Sequence, residues 1–326
     1  MGEITITPIA GKVFGATVTG VDLRNLDDAE FDTIRRAFLD RGFLVFPGQH
    51  LDEEASAAFG RRWGELEFGG QPMSNQRRHR DGSLGEIFDI DTQLMRTNVG
   101  NEAWHTDSTY KPISSKCAML SAVIIPDEGG QTELADARAA YAALDQATKD
   151  RIANLSAYHS TVYSQANDLG DFPQSNGEGI YGTVYHGEAY LRPLVKVHPE
   201  TGVPALFVGR HAFGIPGLER DESRELIRSL IEFIVSDEAR VHRQEWTPGD
   251  TLFWDNRFVL HRARPYDYTK PRYLIGTRVA GDAASELSYY PEDPAAEAGR
   301  AALAAELEIL KVEARDRMYG ATTATT

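Results

Sequence analysis

The sequence is poor in what several protein classes require. It has a single cysteine, Cys117, in 326 residues. No disulfide can form within the chain, and it is expected to work in a reducing, cytoplasmic compartment. No apolar run approaches the roughly 18 residues of a membrane span, and the segment from Met1 to Gly20 lacks the basic-then-apolar order of a secretory signal. Gly2 follows Met1, but Ile6 stands where N-myristoylation needs Ser or Thr. Positive charge is short: 34 Lys and Arg against 49 Asp and Glu leave a net charge of −15. Such a surface repels nucleic acid and anionic membranes, though a local basic pocket for an acidic ligand remains open. There is no internal repeat, no strict β-α alternation and no Gly-x-Gly-x-x-Gly after a strand pattern. A Rossmann fold and a TIM barrel are therefore disfavoured.

What is present predicts a mostly β chain with flanking helices. Asp27 with Glu30 forms a capping box; Phe31, Ile34 and Phe38 recur at helical spacing, and Gly42 ends the helix. Phe43 to Phe46 reads as a buried strand closed by Pro47-Gly48, and a second helix is predicted over 52–63. Further on, strands are predicted over 118–125, 204–208, 240–246, 251–254 and 272–280, with a helical pair over 136–155 and an amphipathic helix over 221–235. The Ala- and Glu-rich stretch 294–318 reads as a C-terminal helix that packs on the domain or on a neighbouring subunit. Two stretches, 67–101 and 160–190, have weak periodicity and many Gly, Asn or Ser. Connections of that length are commonly active-site lids. One domain over 1–326, with a double-sheet jelly roll (a double-stranded β-helix, cupin-like core), fits these short strands and inserted helices.

The chemistry is carried by Trp104-His105-Thr106-Asp107. In extended chain His105 and Asp107 point to one face, because side chains alternate. A second histidine must come from elsewhere to complete a facial set of two His and one carboxylate, the arrangement that leaves positions open on Fe(II). His261, just after the strand-like run ending at Trp254, is the candidate. A His-x-Asp pair is common by chance, so the reading depends on both segments together. A zinc hydrolase also uses two His and an Asp, and a silent metal-binding scaffold is a third possibility.

Trp104-His105-Thr106-Asp107-Ser108-Thr109-Tyr110, together with Trp254-Asp255-Asn256-Arg257 and His261, resembles the TauD/TfdA family of 2-oxoglutarate dioxygenases. The resemblance implies a metal site of His105, Asp107 and His261, with Fe(II), 2-oxoglutarate and O2 as the reaction partners. It also implies that Thr132, after Gly129-Gly130-Gln131, and Arg272, eleven residues past His261, hold the far carboxylate of 2-oxoglutarate. An Arg is the suitable partner for a buried carboxylate, being planar and permanently charged. Tyr163-Ser164-Gln165, the run from Leu191 to Gly202, and Val208-Gly209-Arg210-His211-Ala212 look like the aryloxyalkanoate branch, which cleaves aryl ethers of small carboxylic acids. Gly209-Arg210-His211 also has a purely structural reading as a strand-to-turn signature. Taurine-type members carry an Arg fifteen residues past the distal His; here Gly276 stands there, and Arg278 is two further on. Arg278 is therefore a candidate for the co-substrate or for a substrate carboxylate. A sulfonate, an alkyl sulfate, an amino-acid derivative or a natural-product intermediate are the alternative substrates. Arg77, Arg78 and Arg80, and Tyr163, Tyr181 and Tyr185, are candidate pocket residues, and a homo-oligomer is expected.

Overall fold

The computed structural model describes residues 3–172, 189–289 and 294–319. The first part holds β1 (Thr5–Pro8), β2 (Ala16–Thr19), α1 (Asp28–Arg41), β3 (Phe43–Phe46), α2 (Glu53–Arg61), β4 (Leu66–Ser74), β5 (Gln76–Arg78), β6 (Leu84–Ile87) and α3 (Gln93–Gly100). The middle holds β7 (Cys117–Ile124), β8 (Thr132–Asp136), α4 (Ala137–Ala143), α5 (Gln146–Ile152), β9 (Ser156–His159), α6 (Thr161–Leu169), β10 (Tyr190–Pro193), β11 (Val195–Val197), β12 (Pro204–Leu206) and β13 (Ala212–Phe213). The last part holds α7 (Arg220–Val235), β14 (Val241–Gln244), β15 (Thr251–Asp255), β16 (Val259–Ala263), β17 (Tyr273–Val279), α8 (Ala283–Glu286) and α9 (Pro294–Tyr319).

A seven-stranded sheet runs β1-β2-β3-β15-β7-β17-β4, and a three-stranded sheet runs β14-β8-β16. Inward residues of both, among them Leu252, Trp254 and Ala118 from the large sheet and Leu134 and Val259 from the small one, share one buried cluster. This is the two-sheet jelly roll, and its large sheet carries helices on its other face. Alternation along β15 decides which residue goes where. Phe253 points to the helices, 4.4 Å from Phe38 and 5.6 Å from Phe59 between ring centroids, while Leu252 and Trp254 point between the sheets. Full burial of Phe38 contributes roughly 1.5–3 kcal/mol.

Local signals in the sequence explain the helix ends. Asp27 accepts from Glu30 N at 2.8 Å while Glu30 accepts from Asp27 N at 2.9 Å. Gly42, at φ 82°, closes α1 with its N–H on Phe38 O at 2.7 Å. A side chain there would be strained, and its Cβ would lie 2.6 Å from the ring of Phe258. The second helix is shorter than patterned, with Asp52 as its cap.

The stretch 67–101 departs from its reading as a long connection. It contains most of the edge strand β4, the β5–β6 hairpin and α3. Among the described residues β4 pairs with β17 alone and is mostly part-exposed, so it lacks the apolar run of a central strand and its patterning is weak. Helix α6 occupies much of the start of 160–190; residues 173–188, with Tyr181 and Tyr185, lie outside the described residues. The C-terminal helix packs on its own domain. Leu303 and Leu310 are buried against Tyr158, Tyr163 and Phe213, with Leu307 beside them. Arg220 reaches across from α7 to Glu306 at 2.7 Å. No described helix is long and apolar enough to cross a membrane.

Candidate metal centre

His105 and His261, far apart in sequence, are opposite residues of one antiparallel bridge. His105 N donates to His261 O at 3.0 Å and His261 N to His105 O at 2.8 Å. Opposite residues of such a pair project to the same face, and the two imidazole centroids lie 4.2 Å apart. Asp107, two residues on from His105, joins them by the same alternation. Ligand atoms of the three all lie within 4.8 Å of one another, and each residue is only 6 % exposed. The structure thus brings together the three residues singled out as metal ligands.

Electrostatics suit a cation. Burial pushes His105 down to about 3, and the neighbouring His261 adds to this. Burial likewise lowers His261. Burial would raise Asp107, but Arg278 and the two imidazoles outweigh it and hold the carboxyl below its usual value. Two neutral imidazoles and one carboxylate are the protonation states that a divalent ion requires. His105 Nδ1 lies 2.8 Å from Ala103 O. With Nδ1–H donating to that carbonyl, the ring is fixed and the Nε2 lone pair is left free to bind an ion.

The segment Gly209-Arg210-His211 packs behind His105. A Cβ on Gly209 would lie 3.1 Å from His105 Cα. Arg210 N donates to Trp104 O at 2.9 Å, and Arg210 Nε pairs with Asp168 at 2.8 Å. The His211 ring lies 4.7 Å from Tyr110, and its Nδ1 lies 2.9 Å from Ser164 Oγ. The motif supports the His105 backbone from behind, as its structural reading holds.

Thr132 lies on β8, next to the strand carrying His261. It is buried, and its Oγ1 accepts from Trp246 Nε1 at 3.3 Å. Gly129 and Gly130 both have positive φ, 76° and 70°. A Cβ on Gly129 would lie 2.4 Å from Pro265 O, and one on Gly130 3.1 Å from Arg272 Nε. Only glycine lets the turn approach so closely. Arg272 Nη2 donates to Gly130 O at 2.9 Å. Among the described residues no carboxylate pairs with it; its electrostatic neighbours are Tyr266 and Tyr268. A part-buried guanidinium with no carboxylate partner among the described residues is able to take an acid.

Arg278 behaves differently. Its Nη2 donates to Asp107 Oδ1 at 2.5 Å, and its Nη1 lies 3.3 Å from Ser108 Oγ and 3.5 Å from Glu67. Gly276 cannot supply the missing charge, and a Cβ there would meet Met73 at 2.7 Å. Sequence reasoning missed Glu67, which receives Ser108 Oγ at 2.8 Å and also Lys111. It thereby steadies Ser108, at φ 57°, directly after Asp107. It also missed Asn75, whose Oδ1 accepts from Arg272 N at 2.9 Å. An acid in a weakly patterned edge strand and an amide in the bend just after it give no sequence signal. Tyr163 faces α9, its ring 4.8 Å from Phe213, which removes it from the pocket candidates. Arg77 pairs with Glu86 and Arg78 with Glu53, the solvated arrangement of a surface charge run.

The family model described as "Taurine catabolism dioxygenase TauD, TfdA family" matches residues 5–278. The chain belongs to the TauD/TfdA family. One relative, the (S)-phenoxypropionate/alpha-ketoglutarate-dioxygenase of Sphingobium herbicidovorans, is 47% identical over 84% of this chain and 94% of its own length. The alpha-ketoglutarate-dependent 2,4-dichlorophenoxyacetate dioxygenase of Cupriavidus pinatubonensis is 35% identical over 83% and 96%. The crystal structure of AAD-2 in complex with Mn(II) and N-oxalylglycine superposes with a TM-score of 0.77 at 32% identity, covering 86% of this chain and 98% of that one. Helix α9 lies beyond the part of this TauD/TfdA chain that the family model matches.

Proposed function

We propose that the chain is an Fe(II)- and 2-oxoglutarate-dependent dioxygenase of aryloxyalkanoic acids. The overall reaction consumes O2 and 2-oxoglutarate and gives succinate and CO2. The carbon between the ether oxygen and the carboxylate becomes hydroxylated, and the product collapses to a phenol and a keto acid. The observation that carries this reading is the open grouping of His105, Asp107 and His261, together with an Arg272 that has no carboxylate partner among the described residues. The likeness to aryloxyalkanoate enzymes supports the substrate class.

His105, Asp107 and His261 would hold the iron, which when bound supplies the activation of O2. The bond from His105 to Ala103 O keeps Nε2 aimed at the site. Arg272 and Thr132 take the far carboxylate of 2-oxoglutarate, held in place from behind by Gly130 and Asn75. Arg278, on the Asp107 side, takes the substrate carboxylate; the positive charge absent at Gly276 is thereby restored two residues on. Burial of the three ligands keeps water from the reacting carbon. The enzyme works in the cytoplasm as a homo-oligomer.

The test is aerobic incubation with Fe(II), 2-oxoglutarate and a panel: both enantiomers of 2-phenoxypropionate, a phenoxyacetate, an alkyl sulfate and taurine. Succinate formed in step with phenol is the expected result. Succinate coupled only to the sulfate or to taurine would replace the substrate class, and its absence with every acid would refute the assignment. Arg278→Ala is expected to raise the KM of the acid while leaving that of 2-oxoglutarate unchanged.

A further inference from the structure

The two carboxylate oxygens of Asp107 have different neighbours. Oδ1 accepts from Arg278 at 2.5 Å. Oδ2 lies 3.6 Å from His261 Nε2, so it is the oxygen on the metal side. Oδ2 is also approached by Asn256 Nδ2 at 3.5 Å. Asn256 is 0 % exposed, Ser115 1 % and Trp254 2 %. An amide buried this deeply must find its partners within the protein.

Its orientation is dictated by a neighbour. Indole Nε1 is a donor only, and that of Trp254 lies 2.9 Å from one end of the Asn256 amide. That end must be the oxygen. The other end therefore donates, to Ser115 Oγ at 2.9 Å and toward Asp107 Oδ2. Ser115, already an acceptor, gives its own hydrogen to Asp107 O at 3.3 Å. Every hydrogen in this chain has one consistent direction. A reversed amide would set two donors together at Trp254 and an oxygen against a carboxylate at Asp107. The Trp254 ring also lies 4.7 Å from that of His261, so one indole touches both halves of the site.

We propose that Asn256 is a positioning residue for the metal centre. Oriented by Trp254, it keeps Asp107 Oδ2 turned toward His261 before an ion arrives. A guanidinium favours a two-pronged grip on a carboxylate. Without Asn256, the Asp107 carboxylate would turn to give Arg278 both oxygens and leave the site. The proposal rests on the metal-centre reading above.

Calorimetric titration of the full chain with Co(II), with the visible spectrum of the bound ion, tests it. The thermal midpoint of the metal-free protein is measured alongside. Asn256→Ala and Trp254→Phe are each expected to weaken Co(II) binding about 10–100-fold, the usual cost of losing a group that orients a ligand, and to alter the spectrum. A lower metal-free midpoint with unchanged affinity and spectrum in the folded variants would mean a merely structural amide and overturn the proposal. Should Asn256→Ala fail to fold, Trp254→Phe and Ser115→Ala decide it: weakened binding in Trp254→Phe supports it, and wild-type binding in both overturns it. Wild-type protein that binds no Co(II) would overturn the metal-centre reading and this proposal together, an outcome distinct from the others.

Discussion

Among the described residues, two buried groupings of His and Asp differ: one is closed and the other open. In the closed one, His198 Nε2 lies 3.1 Å from Asp255 Oδ2, while His198 Nδ1 accepts from Glu200 N and Thr201 N at 3.2 and 3.1 Å. Arg257 grips Asp255 at 2.7 and 2.6 Å and passes on to Glu200 at 2.6 Å. Burial would raise the Asp255 carboxyl, but Arg257 outweighs it and holds it far below the usual range. Each of these donors and acceptors has a partner, and Arg35 joins Arg257 on Glu200, so that two cations balance the two carboxylates. In the open grouping, His105, Asp107 and His261 aim their ligand atoms at a common point with no protein cation between them. Arg278 covers only the outer oxygen of Asp107. Residue type does not separate a structural knot from a metal centre; convergent, unused lone pairs do.

The comparison can be broken by removing one carboxylate from each. Asp107→Ala should reduce Fe(II)-dependent succinate formation to background while the protein still folds, as read by circular dichroism. Asp255→Ala strands Arg257 and should cost about 3–5 kcal/mol of stability, seen in the denaturant midpoint. If both lose activity with equal loss of stability, the distinction fails. A smaller effect is expected where an open charge awaits a ligand. Arg272→Gln removes charge-assisted bonds worth about 1.5–3 kcal/mol, so the KM for 2-oxoglutarate should rise roughly 10–100-fold with little change for the acid substrate.

A histidine outside both groupings gives a third test. His159 is 1 % exposed, neither ring nitrogen has a partner among the described residues, and burial, then Arg192, push it down to about 3. Its folded pKa is thus below its unfolded value of about 6.5. The unfolded chain takes up the proton first, so this contribution is complete above about pH 6.5 and is lost as pH falls toward 3. Thermal midpoints between pH 7 and 5 should fall less steeply in His159→Leu, by at most about 1.4 kcal/mol per pH unit. Identical slopes would contradict the assignment. The smallest effect is expected at Arg220, which ties α7 to Glu306 of α9 at 2.7 Å. Arg220→Ala should cost about 1 kcal/mol or less and leave turnover intact.

The parts legible in the sequence were those with short-range or paired signals. The Asp27 box, the Gly42 stop and the Phe31-Ile34-Phe38 spacing define α1 without tertiary help. The ligand triad was legible because alternation fixes His105 and Asp107 and a second motif supplies His261. The edge strand β4 was not, since a half-exposed strand carries no clear apolar period. Nor were Glu67, Asn75 and the reach of Asn256 to Asp107, which depend on partners tens to hundreds of residues away. Tyr163 was misread because an aromatic at the start of α6 is equally able to face α9.

The most direct measurement is a crystal structure of this chain grown with Mn(II) and N-oxalylglycine. The account predicts one ion bound by His105, Asp107 and His261, with the far carboxylate of the analogue on Arg272 and Thr132. An ion bound elsewhere, or an analogue whose far carboxylate leaves Arg272 untouched, would contradict it.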